Sequence, residues 1–180
     1  MAEISLSAHQ TDLRRAYLGG GLGAFVSGCV WLVAAVTTWQ ADVATGYVTL
    51  FFGGFLIFPL SAVIEKLFFK RPGLKSGNPG GALVMETLPA MIAVLLIGFL
   101  LLDMRPEWVF PLAAIAVGAH YFPFRTAYGD RTYWVLGGLM MGVGFASLAT
   151  GHPDALGVAL AIAVIEIGFG IWLTIRNRRI

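Results

Sequence analysis

Polar residues along this chain fall in short clusters, and the stretches between them are long. No Asp, Glu, Lys or Arg occurs in 16–41, 43–64, 87–102, 108–124, 132–153 or 167–175. Crossing the hydrocarbon of a bilayer takes about 20 apolar residues. The runs therefore predict six transmembrane helices at about 16–39, 43–64, 83–102, 107–124, 132–150 and 155–175. The third must carry Glu86 and the sixth Glu166. A soluble helical bundle would need polar outer faces, which these runs lack.

Composition agrees: mean hydropathy is +0.80, with 58% hydrophobic and 12% charged residues. Basic residues then orient the helices. Arg14 and Arg15 precede the first span, and Lys66, Lys70, Arg71 and Lys75 separate the second from the third. Arg125 and Arg131 separate the fourth from the fifth, and Arg176, Arg178 and Arg179 follow the sixth. Only Arg105 falls on the other side, with Asp42, Asp103, Glu107 and Asp154. The positive-inside rule predicts both termini in the cytoplasm, and an odd number of spans would destroy the separation. The expected organisation is a cytoplasmic segment 1–15, a six-helix domain 16–175 with a cytoplasmic loop 65–82, and a basic tail 176–180. The basic patches are short and interrupted, which suits the anionic leaflet and argues against nucleic acid. The first span lacks the short core and small-residue cleavage site of a signal peptide and is read as retained.

Cys29 is the single cysteine, which excludes an intrachain disulfide. No zinc-helix, nucleophile-elbow or phosphate-loop motif is present, so no catalytic residue, metal ligand or cofactor is assigned. Ionisable groups within spans are costly and become the candidates. Glu86 lies about one turn into its helix, His120 is five residues from Arg125, and Glu166 is ten residues, roughly 15 Å, from Arg176. Each shares a helical stripe with small residues: Ala82, Pro89, Ala90 and Ala93 for Glu86; Ala113, Ala116 and Pro123 for His120; Ala159, Ala163 and Gly170 for Glu166. Such stripes favour close helix contact, so all three are expected to face the bundle, with a Glu86–His120 hydrogen bond sterically reasonable. Glu65 and Ser61 lie near the same surface. The bland alternatives are a satisfied interfacial histidine, a first-turn acid favoured by the helix dipole, and belt aromatics at Tyr121, Phe122 and Phe124.

Pro59, Pro89 and Pro123 are expected to kink or interrupt their helices. The pairs Gly19/Gly23 and Gly138/Gly142 have the small-xxx-small spacing of packed faces, within the bundle or between copies. A homo-oligomer, most simply a dimer, is the expectation.

Gly54…Phe58-Pro59-Leu60-Ser61, the Asn78-Pro79 loop and Gly118-Ala119-His120…Pro123-Phe124 followed by Tyr133 carry a resemblance. Over roughly residues 50–135 the chain resembles an uncharacterised family of small bacterial multi-pass membrane proteins bearing a domain-of-unknown-function label. The resemblance implies a polytopic helical fold in a bacterial inner membrane and no assigned activity. Tyrosine and phenylalanine stand between His120 and Pro123 where aliphatics are expected.

Three functions remain open. The first is a small transporter or channel subunit, taking a small solute, a cation or a proton at a polar pocket of Glu86, His120 and Glu166. The second is a structural or regulatory protein that binds other spans through glycine faces. The third and weakest is an intramembrane enzyme using His120 with a carboxylate.

Overall fold

The computed structural model describes residues 5–179, so residues 1–4 and Ile180 of the expected terminal segments lie outside it. All regular structure among the described residues is helical: α1 (Leu6–Tyr17), α2 (Gly21–Gln40), α3 (Val43–Leu67), α4 (Pro79–Glu86), α5 (Leu88–Leu101), α6 (Val109–Tyr121), α7 (Phe124–Tyr128), α8 (Thr132–Ala149) and α9 (Ala155–Asn177). Five stretches are long and apolar enough to cross a membrane: 6–40, 43–67, 79–101, 132–149 and 155–177. The fourth expected span is different. Its helix α6 has 13 residues, about 20 Å against a hydrocarbon thickness of about 30 Å. A 3-10 turn, Pro106–Trp108, precedes α6, and α7 follows it past Pro123.

The helix starts follow from local chemistry. Asp42 accepts the Thr45 N–H at 2.7 Å, and Asp154 accepts the Gly157 N–H at 2.9 Å. Asn78 precedes Pro79 and accepts the Gly80 N–H at 2.9 Å. Each cap satisfies a first-turn amide that has no partner within its helix.

Helix α2 packs most extensively against α9 and α3, while α6 packs against α8, α5 and α9. Glycines allow the closest approaches: a Cβ at Gly28 would lie 2.7 Å from the Ile167 amide nitrogen, and one at Gly118 2.8 Å from the Gly137 carbonyl oxygen. At one end of the bundle the core is aromatic. Trp31 and Tyr47 each lie 6.0 Å from Phe110, and the Tyr47 hydroxyl donates to the Leu95 carbonyl at 2.6 Å. The other end gathers the basic segments. Arg71 donates to the Arg178 carbonyl at 2.7 Å, Gln10 to Thr126 O at 2.9 Å, and Asn78 to His9 O at 3.0 Å.

Three of the passages are interrupted on the way to this basic end. The first breaks at Leu18, Gly19 and Gly20, all with positive φ (51°, 65° and 77°). The third is divided at Thr87, between α4 and α5, and the fourth at Phe122-Pro123. The outer pieces α1, α4 and α7 pack on one another as a separate layer. The second passage is helical throughout, with Pro59 inside α3.

The expected packing face of Gly19 and Gly23 is also corrected. Gly19 is in the left-handed region, which glycine enters without steric penalty, and it lies before α2 begins. Gly23 lies in the first turn of α2, so the two residues do not share one helical stripe. A Cβ at Gly23 would meet nothing within 4 Å, so Gly23 makes no close helix contact. The face of α2 that meets α9 passes instead through Gly21 and Gly28, seven residues apart and on one stripe. A Cβ at Gly21 would lie 2.5 Å from the Thr174 amide nitrogen. Gly23, two positions on from Gly21, is turned by roughly 200° to the opposite side.

Candidate functional site

Among the described acidic and basic side chains Glu166 is the most enclosed, with no exposed surface. Ala159, Ala163 and Gly170 on its own face of α9 are buried with it against α2. Tyr121, at the end of α6, donates its hydroxyl to Glu166 Oε1 at 2.7 Å. Ser27 of α2 borders both side chains. The second oxygen, Oε2, is buried without a close hydrogen-bond partner, and the Ser27 hydroxyl is the polar group within reach of the carboxyl. An enclosed carboxyl group has capacity for more than one bond, so Oε2 is where a further donor, a proton or a cation would act.

Around this pair lies a tyrosine-rich core. Tyr121 stacks on Tyr133 (6.0 Å), and Tyr133 on Tyr128 (5.4 Å). Phe124 closes the cluster against Tyr121 and Tyr133, 5.3 Å from each. The Tyr133 hydroxyl donates to the Gly19 carbonyl, which the break in the first passage leaves without a helical partner. Irregular backbone at membrane depth is tolerated where protein groups satisfy it in this way. A Cβ at Gly20 would strike the Tyr133 hydroxyl, with the Tyr128 hydroxyl 3.3 Å away, so both phenols border the break. Beyond Tyr128, buried Glu65 faces Tyr17 and Arg71. Ser61, also buried, donates to the Phe58 carbonyl at 3.0 Å.

His120 belongs to a neighbouring group. Its Nδ1 lies 2.5 Å from Thr87 Oγ1, at the joint between α4 and α5, two residues before Pro89. The Thr87 hydroxyl is also 2.8 Å from the Val84 carbonyl oxygen. The hydroxyl has one proton for two neighbours, so if it serves the Val84 carbonyl, His120 Nδ1–H is the donor to Thr87, and otherwise Nδ1 accepts. The hydrogen bond considered between Glu86 and His120 is therefore replaced by one to Thr87. Glu86 itself is exposed and lines a cleft of about 350 Å³ with His9, Leu83 and Thr126, between α1, α4 and α7. Glu86, His120 and Glu166 thus occupy three surroundings, of which the last two are linked through Phe124, whose ring is 4.9 Å from His120 and 5.3 Å from Tyr121. Among the described residues no three His, Cys, Asp or Glu side chains converge as metal ligands.

Tyr121 is the partner that sequence reasoning missed, having been grouped with the belt aromatics. Its helical spacing held a signal, since Ala114, Gly118 and Tyr121 share a small-residue stripe on α6, and all three are buried. Gly138 and Gly142, like Gly23, make no close contact within the bundle, which leaves contact between copies as the alternative. A Cβ at Gly138 or Gly142 would meet nothing within 4 Å, so this face is open on the outside of the bundle. Of the four glycines expected to pack helices, Gly19 alone is closely enclosed, by the Asn177 side chain.

A family model described as a family of unknown function (DUF7010) matches residues 6–176, and the chain belongs to that family. The match takes in the first and last passages as well as the middle of the chain, where the resemblance was seen. No protein of curated function and no solved structure matches.

Proposed function

We propose that this member of the family is a small transporter or channel subunit of a bacterial inner membrane that takes up a proton or small cation at Glu166. The observation that carries the reading is the Glu166 carboxyl, wholly enclosed, with Oε1 held by Tyr121 and Oε2 without a close partner. Burying such a group costs several kcal/mol in a membrane and is retained where it serves a pathway. The interrupted helices also support it, because broken helices near a polar site are a recurrent transporter device. In this reading Pro89 and Pro123 are hinges, and Pro59 softens α3. Glu86 and His120 form an approach from the His9 cleft, while Glu65 and Ser61 form one from α3.

Glu166→Gln preserves size and removes the titrating group. It is expected to fold normally and to lose pH-dependent cation or proton flux in reconstituted vesicles. Should Glu166→Leu be more stable than wild type, with flux unaltered, Glu166 is a packing residue and the reading fails.

Orientation is part of the proposal: both termini are cytoplasmic, since eleven of the twelve basic residues belong to the segments gathered at one end. In a Cys29→Ser background, cysteines at Ser76 and Thr126 should react only from inside and one at His152 only from outside. Labelling of Ser76 from outside overturns the orientation.

A second reading, a structural or regulatory protein that binds another span or a second copy, is favoured by the open Gly138/Gly142 face. It expects a dimeric mass in lipid discs that Gly138→Leu abolishes, with no dependence on Glu166.

A further inference from the structure

On the outside of the bundle, residues of α8 and α9 line an open apolar groove of about 730 Å³. Val135, Val164, Ile165, Phe169 and Trp172 form its walls, and Arg131 and Thr132 stand at its basic end. Gly168 keeps it open, because a Cβ there would meet nothing within 4 Å. From Val164 to Trp172 the groove follows α9 for about 12 Å, less than half the hydrocarbon thickness of about 30 Å. Trp172 lies about one turn from Arg176 and Val164 about 18 Å from it, so the groove falls mainly in the leaflet at the basic end.

The polar mouth is specific. Asp130, the acid beside Arg131, is held by Arg176, whose guanidinium also lies 4.3 Å over the Trp172 ring. Arg131 is exposed and makes no ion pair among the described residues. The Thr132 hydroxyl accepts from Arg176 at 3.2 Å, so its own proton is available to donate outward. Two arginines against one aspartate leave a surplus cation, with a hydroxyl donor beside it. This is the arrangement that holds a phosphate oxygen through charge-assisted bonds.

We propose that this groove is a binding site for one anionic phospholipid, its acyl chain along Phe169 and Val164 and its phosphate on Arg131 and Thr132. A zwitterionic lipid would leave the surplus charge unmatched. A second copy related by a two-fold axis along the membrane normal would bring an identical cationic mouth to the same leaflet. The site is independent of Glu166.

The test uses the full-length protein in detergent, titrated with phosphatidylglycerol or with phosphatidylcholine of the same chains, reading bound lipid by native mass spectrometry and melting temperature in parallel. One phosphatidylglycerol per chain is expected, with a rise in melting temperature that phosphatidylcholine does not give. Arg131→Gln should weaken phosphatidylglycerol binding roughly tenfold, the worth of one charge-assisted hydrogen bond, without changing the lipid-free melt. Gly168→Leu should abolish binding by filling the groove, and Thr132→Val should weaken it if Gly168→Leu folds poorly. Equal binding of the two lipids, or unchanged phosphatidylglycerol binding by Arg131→Gln, overturns the proposal. So does a Gly168→Leu protein that binds lipid normally but changes its oligomeric mass, since the occupant is then a second copy.

Discussion

Gly28→Ala tests the packing that encloses Glu166. Gly28 lies on α2 next to Ser27 and faces α9, where an added Cβ would sit 2.7 Å from the Ile167 nitrogen and 3.0 Å from the Ala163 carbonyl oxygen. Both neighbours are backbone and cannot rotate aside. Restoring the 3.4 Å of ordinary contact requires the two helices to part locally by roughly 0.7 Å, a gap that forfeits a quarter or more of each affected dispersion contact. Overpacking of this kind costs about 1–3 kcal/mol. Alanine returns up to about 1 kcal/mol through its better helix propensity. The expected net loss is about 1–2 kcal/mol, a five- to thirtyfold fall in the folded-to-unfolded ratio. Gly138→Ala is the control: it has the same propensity gain and nothing within 4 Å, so it should be neutral or stabilising. Reversible unfolding in mixed micelles, followed by circular dichroism, reads both. A Gly28→Ala protein as stable as Gly138→Ala would refute the close approach of α2 and α9.

Tyr121→Phe removes only the donor to Glu166 Oε1 and should destabilise by about 1–3 kcal/mol. In a Glu166→Leu background that loss should shrink, and strict additivity in the double-mutant cycle would show that the two groups do not interact. Asn78→Ala deletes bonds to His9 O, Asp12 Oδ2 and Gly80 N, loosening the contact of α1 with α4 by about 1–3 kcal/mol. Trypsin should then cut faster at Arg14 and Arg15, and an unchanged rate would contradict the contact. The Thr45 N–H on exposed Asp42 holds that carboxyl below its usual range. A depressed folded value means the stabilisation is complete above the unfolded value and is lost as pH falls through the folded one. Asp42→Asn should therefore melt somewhat below wild type at neutral pH, converge on it in acid and show a flatter acid melting profile, and parallel profiles would count against the cap.

The membrane character and the grouping of basic segments were legible in the sequence because both depend on coarse features, run length and charge position. Pro89 and Pro123 likewise marked interruptions, since a missing N–H acts locally. Leu18-Gly19-Gly20 was not legible as a break. A glycine run reads equally as a packing stripe or as left-handed backbone, and the Tyr133 hydroxyl that satisfies the Gly19 carbonyl is 114 residues away. Once that break is in place, Gly23 loses its register with Gly19, and Gly21 takes the position against α9. Glu166 stood out through the cost of burying it, but no local pattern says which distant phenol partners it. The outward turn of Gly138 and Gly142 was hidden for a similar reason: spacing defines a face without naming what lies opposite it.

The shortness and enclosure of α6 bear on the order in which the chain can assemble. A span that meets lipid along its whole length can enter the bilayer alone and await its neighbours. Helix α6 reaches about two thirds of the way across, and most of its residues, from Val109 and Phe110 to Gly118 and Tyr121, are covered by protein. Its largest partner, α8, comes later in the chain, as does α9, and only α5 precedes it. During synthesis residues 109–128 therefore occupy the membrane with α5 alone of these three beside them, and the fourth passage becomes settled only when the C-terminal pair arrives. The Tyr121–Glu166 bond, which joins α6 to α9, belongs to that last step.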